Sequence, residues 1–574
     1  MAPSGTKSIL TLLLTCGTSV QAAETVWSAF AYVLNGERTP LLAGTSGGSL
    51  TSVGANQMLS QGSLLRTRWL DNTTLSGDSS NTTKNAPIVG IQKTAIDNSQ
   101  LSIYSSRDQY VTGGALAFMQ GLYPPRTQAF APGNGGLDAA VLANGSLVEF
   151  PFDGYMYPNI RTVSLSEPES VWLEGHVTCT EYLKATSDLR SDHRIAEKYD
   201  ASYPQYQKLW STVFNGTFPL AAATFEYAYE LYDYASYQYT HNKTIRDTLH
   251  ADELNWLAEF ASIQQFAKNG DLSVSGRING DMIRAISGRT LVAMVVEQFQ
   301  EHVTTGGESP QLNLMFGSFE PMLSFFALSN LSTGHSSGTF QDLPQPGGAM
   351  IFELFSEGTD TSNMPGVEDL WIRFLYRNGT AADTPVYEYP LFDLGNSETR
   401  LKYKDFASHI QAFSINTVSE WCETCDAVST LCSTTRQTLD GDSTSSTNSN
   451  NLNLSPAVAG VIGACMTIAV IVVAAVSLVV FGGFVVHRNS PSRQSNLAGF
   501  KGPEKMASDK DLTVAKNGAR HERVGSWELG GPGRPVVGDS KDEPVFGATH
   551  MRNIDDDGDS IIMGREPVKP RESV

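Results

Sequence analysis

The chain has 574 residues, with 60 acidic against 40 basic side chains and a formal net charge of −20. Such a length exceeds one compact domain of ordinary size and leaves room for additional segments. The acidic balance excludes a surface built for nucleic acid or anionic lipid, both of which call for basic patches.

The first element in chain order is a leader. Lys7 precedes the apolar run SILTLLLTCGTSV and small residues around Ala22, the order of a secretory signal peptide over 1–22. Phe30, Ala31, Tyr32, Val33 and Leu34 then predict a buried strand, stopped by Asn35 and Gly36 and followed by Arg38 and Pro40. A glycine loop beside a cation at the end of a strand is one way to build an anion cradle. The next stretch, 51–70, predicts a helix with Ala55, Met58, Leu59, Gly62, Leu65 and Trp69 on one face. A second strand-to-helix junction joins LSIYSS (101–106) to QYVTGGALAFMQ, and a third joins QLNLMFGSF (311–319) to a helix opened by Glu320 and Pro321. Between them, about 180–303 carries helical periodicity, including a stripe of Leu254, Leu257, Phe260, Ile263 and Phe266 that ends at Gly270.

The folded part is expected over 24–432. Within it Cys179, Cys422, Cys425 and Cys432 can form two disulfides with three connectivities. The competing reading of WCETC, a redox or metal pair, lacks both a βαβ context and a second pair of ligands. No metal-ligand spacing occurs elsewhere, and no cofactor is expected. A Ser/Thr/Asn-rich stalk follows over 433–455, and then an uncharged apolar segment, 456–486, long enough to span a bilayer. His487, Arg488 and Arg493 place the remainder, 487–574, in the cytosol as a disordered tail. That tail holds 14 basic and 14 acidic residues, so the whole net charge lies before it. Asn-X-Ser/Thr triplets at Asn72, Asn81, Asn144, Asn215, Asn242, Asn330, Asn378 and Asn453 all precede the span, as expected for a lumenal or extracellular glycoprotein. Together these segments describe a single-pass type I membrane protein of the cell surface or secretory pathway. Its oligomeric state stays open.

Three blocks resemble the histidine acid phosphatases, branch 2 of the phosphoglycerate-mutase-like superfamily, which includes phytases. They are YVLNGERTPLL with LTSVGANQMLSQGSLLRTRWL, YSSRDQYVTGGALAFMQGLYPP, and LMFGSFEPMLSFFAL. The resemblance spans roughly 28–420, and the membrane-anchored layout is similar to fungal members. It implies an α/β fold: a phosphoglycerate-mutase-like central sheet flanked by helices, with a smaller helical insertion.

The resemblance also implies a phosphate site, whose family motif is Arg-His-Gly-x-Arg-x-Pro. Here the first arginine falls at Leu34 and the nucleophilic histidine at Asn35, while Gly36, Arg38 and Pro40 match. The second-block arginine falls at Tyr110, with Arg107 nearby; the late histidine falls at Phe319 and the proton donor at Glu320. An amide cannot form a phosphoenzyme, and removing a nucleophile costs on the order of 10⁴–10⁶ in rate. Plainer readings stand beside these, with Arg38 as a structural ion pair and Glu320 as a helix cap. His176 and His193 are candidate replacement nucleophiles against a surface or hydrogen-bonded role. The expectation is a non-catalytic binding or sensing protein with a small anionic or phosphorylated ligand. A divergent acid phosphatase and a structural cell-envelope glycoprotein are the alternatives.

Overall fold

The computed structural model describes residues 23–42, 47–71, 85–131, 140–333, 337–395 and 397–433. The expected leader, span and tail, the stalk beyond its first residue, and the sequons at Asn72, Asn81 and Asn453 lie outside the described residues.

One mixed sheet organises the chain. Its strands are β1 (Glu24–Leu34), β2 (Leu101–Ser106), β3 (Arg161–Val163), β4 (Leu312–Gly317), β5 (Ala349–Glu357), β6 (Leu370–Arg377), β7 (Tyr387–Tyr389) and β8 (Arg400–Lys402). The order is β3-β2-β4-β1-β5-β6-β7, with β8 also on β6. β3, β2, β4 and β1 are mutually parallel, whereas β5 turns antiparallel to β1. β1 is buried from Thr25 to Leu34, because helices cover both faces of the sheet and no alternation with polar residues is needed. Phe30, Tyr32 and Leu34 point into one core cluster, and Ala29, Ala31 and Val33 into the other.

On the second face lie α1 (Ser52–Trp69) and α2 (Gln109–Leu122). A Cβ on Gly62 would stand 2.0 Å from the Phe118 carbonyl oxygen, and one on Gly121 would stand 2.0 Å from that of Leu59. Two glycines thus let the helix backbones touch. The expected apolar face of α1 holds at Met58, Gly62, Leu65 and Trp69, but Leu59 is 39% exposed and Gln61 and Arg68 are buried. Arg68 turns inward to Glu353 of β5, fully buried, which accepts from Arg68 (2.6 and 2.8 Å), Trp69 Nε1 (2.7 Å) and Arg373 (2.6 Å), and Gln61 Oε1 accepts from Arg377 (2.6 Å). Burial alone would raise the Glu353 carboxyl; the two guanidiniums carry it down to about 2.

The other face is covered by α3 (Ser170–Glu174), α8 (Ile286–Thr304) and α9 (Glu320–Leu328). Between them run α4 (Thr180–Ser187), α5 (His193–Leu209), α6 (Ala228–His241) and α7 (Ala251–Asn269). α5, α6 and α7 enclose a separate small core around Tyr206, Phe214, Phe225, Leu231 and Leu257. On α7 the predicted stripe is fully buried only at Leu257, whereas Gln264, Gln265 and Asn269 are buried. Gln264 donates to the carbonyls of Phe225 (2.9 Å) and Glu226 (2.6 Å), and Asn269 accepts from Tyr182 (3.0 Å). Satisfied amides can be buried at little net cost, and apolar periodicity does not see them.

α10 (Tyr403–Gln411) and α11 (Val418–Cys425) close the chain. Of the three connectivities, the structure has Cys179–Cys425 and Cys422–Cys432. The CxxC cysteines of α11 are therefore not paired with each other, and both are engaged elsewhere. Among the described residues, no helix is long and apolar enough to cross a membrane, and no group of three or more His, Cys, Asp and Glu could hold a metal ion.

Candidate functional site

Because β1, β2 and β4 run parallel, the loops that follow them open on one edge of the sheet. The β1 and β4 loops are tied where the Asn35 amide donates to the Gly317 carbonyl (3.1 Å). There the three expected junctions meet in a cleft of about 470 Å³. Leu34, Asn35, Gly36 and Arg38 reach it from β1, Tyr110 from α2, and Phe319 and Glu320 from the start of α9. All seven predicted residues line one cavity. Arg107 is exposed outside it. His176 lines the cleft, whereas His193 sits on α5 with its side chain 87% exposed.

The loop after β1 is shaped by contact with the first turn of α1. A Cβ on Gly36 would lie 2.3 Å from the Gly54 carbonyl oxygen, so only glycine lets the loop fold this tightly onto the helix. Asn35 turns its amide back on the loop, donating to the Gly36 carbonyl (2.9 Å).

Arg38 is 8% exposed and already has its anion. Its guanidinium donates to Asp233 Oδ2 (2.8 Å) and to the Tyr229 hydroxyl (3.1 Å), and it lies over the Tyr110 ring at 5.3 Å. Burial works against its proton, but Tyr229 and Asp233 more than reverse this and hold the group firmly protonated. Both partners come from α6. Local motif reading has no access to them, although a signal exists: YAYELYDYASYQY (227–239) repeats tyrosine around Asp233 at helical spacing. The same helix reaches the β1 loop a second time, where His241 Nε2 meets Glu37 Oε1 at 2.7 Å.

The cleft is electronegative. Glu37, Asp108, Glu174, Asp233 and Glu320 line it, and among the described residues Arg38 is the one lysine or arginine that does. Burial, followed by the neighbouring Asp108, pushes the Glu174 carboxyl up to about 7; Arg107 opposes this and Glu320 adds to it. Burial also lowers His176 below the ordinary imidazole value, against the pull of Glu320. His176 Nε2 stands 3.8 Å from Glu320 Oε1, too far for a hydrogen bond. His176 Nδ1 and Glu320 Oε2 are shielded from solvent without a hydrogen-bond partner.

Phosphoryl transfer needs a nucleophile and several cations around the transferring group. The cleft lining holds Asn35, His176 and one guanidinium, Arg38, which is already bonded to Asp233. Away from it, Asn144, Asn215, Asn242 and Asn330 are exposed, and Asn378 is half-buried with its Oδ1 accepting from the Gln345 amide (2.8 Å) and Tyr376 (3.0 Å).

No family model matches this chain, and no curated protein does. Solved structures similar to it include the phytase from Citrobacter braakii, at 12% identity over 71% of this chain and 100% of that one, with a TM-score of 0.44. The phytase from D. castellii is similar at 11% identity over 75% and 87% of the two chains, with a TM-score of 0.39. The Bifidobacterium longum multiple inositol polyphosphate phosphatase, solved with inositol hexasulfate, is similar at 14% identity over 70% and 95%, with a TM-score of 0.37.

Proposed function

We propose that this chain is a single-pass type I membrane glycoprotein whose histidine-acid-phosphatase-like ectodomain binds a ligand in the cleft without turning it over. The leader, the one-sided sequons and the uncharged 456–486 segment support the topology. One observation carries the lack of turnover: Arg38, the surviving match to a phosphate arginine, is closed by Asp233 beside an asparagine in the nucleophile's place. An incoming phosphate would have to displace a carboxylate already bonded at 2.8 Å and then face four further carboxylates.

A second reading, a divergent phosphomonoester hydrolase, is favoured by His176, which lines the same cleft near Glu320. The pair has the residue types of a nucleophile and an acid. It lacks the cations that would hold the transferring group.

One assay separates the two. The full chain, purified in detergent, is given an aryl phosphate and inositol hexakisphosphate from about pH 3 to 7, with His176→Ala as the control. The expected result is no phosphate release above the protein-free background from either protein. Turnover that His176→Ala abolishes would overturn the non-catalytic reading and establish the hydrolase.

A further inference from the structure

We infer that the cleft takes a small cationic ligand, one bearing an aliphatic ammonium group, held between Glu174 and Glu320 and against the rings of Tyr229 and Phe319. The inference rests on the reading that the cleft binds without turnover, and it reverses the charge that the motif resemblance implies for the ligand.

Two features of the lining point the same way. The first is charge. Arg38 is matched by Asp233, which leaves Glu37, Asp108, Glu174 and Glu320 in the lining, and of these Glu37 is engaged by His241 and Thr51. The second is the aromatic part of the same lining. Tyr229 and Phe319 pack with ring centroids 4.9 Å apart, and Tyr232 and Tyr237 extend that aromatic surface along α6. A ring face attracts a cation by about 0.5–2 kcal/mol, and the attraction grows as water is excluded. Arg38 over Tyr110 shows that the site already holds one cation in this manner.

An ammonium supplies three N–H donors and a full positive charge. A phosphate supplies no positive charge, and its oxygens would meet carboxylates. A cavity of about 470 Å³ lies within the range that encloses a small ligand, about 300–1,000 Å³.

The same ammonium chemistry can come from a free polyamine or from a lysine side chain of a peptide, and calorimetry with the full chain in detergent distinguishes them. The probes are spermidine, a lysine-containing tripeptide and inorganic phosphate. At about pH 8, where the raised Glu174 carboxyl is ionised, spermidine is expected to bind, and Glu320→Gln and Glu174→Gln are each expected to weaken it about tenfold, equivalent to ~1.4 kcal/mol. Asp247→Asn, at an exposed Lys243–Asp247 pair on the outer surface, is expected to leave the binding unchanged. Tyr237→Lys places a competing ammonium at the half-buried rim without unpairing a core group, and is expected to weaken spermidine as well. Tighter binding of the tripeptide than of spermidine would assign the peptide source. Spermidine binding that survives all three cleft variants would mean attraction to the acidic surface alone and would overturn the inference, as would phosphate binding tighter than spermidine. Failure here leaves the non-catalytic reading standing, since that reading falls only to phosphate-ester turnover.

Discussion

At Glu174 the local environment sets a sign that can be measured. Its carboxyl is pushed up to about 7 by burial and Asp108, so the folded chain holds that proton more tightly than the unfolded chain does. The stabilising contribution is therefore complete below the ordinary carboxyl value and is lost as pH rises through about 7. Glu174→Gln escapes the loss. Thermal melts should show the variant above the wild type at about pH 8, with the difference closing below about pH 5. Equal differences at both values would refute the assignment. At this scale the sequence was readable where neighbours in the chain make the motif, as with Asn35, Gly36 and Arg38. Asp233 and Glu174 were not readable, because each acts on a partner far along the chain: 195 residues separate Arg38 from Asp233.

Among the elements, those with unbroken apolar runs were legible, and β2 spans the residues its sequence predicts. What sequence periodicity missed is polar burial. Arg68 turns inward on α1 to meet Glu353 and Gln61 to accept from Arg377, and Gln264 and Asn269 turn inward on α7 because carbonyls and a hydroxyl complete them. A buried amide scores as surface in any hydropathy pattern, so such faces shift. The α1–α2 contact rests instead on size. Gly62→Ala puts a methyl where the Phe118 carbonyl oxygen would stand 2.0 Å away, and overpacking of this kind costs about 1–3 kcal/mol. Denaturant unfolding should report that loss; a midpoint equal to that of the wild type would show that the helices separate freely.

For the molecule as a whole, the two disulfides close loops of very different size, with separations of 246 and 10 residues. A cross-link restricts the unfolded chain more when the loop is long, and typical contributions are about 2–4 kcal/mol. The pair Cys179→Ser with Cys425→Ser should therefore lower the melting temperature further than Cys422→Ser with Cys432→Ser. The opposite ranking would place the stabilisation in the folded state instead of the unfolded one. This connectivity was beyond sequence reasoning, since four cysteines permit three pairings and only the fold brings Cys179 to α11.

The same cross-link has a mechanical meaning. A pull on the chain beyond Cys432 enters the fold through α11, and Cys425 passes it across a covalent bond to Cys179, just after His176. Trp421 grips the Gly175 carbonyl at 2.8 Å, between Glu174 and His176. Force applied at that end therefore arrives at Gly175, between two residues of the cleft lining, without first crossing the sheet.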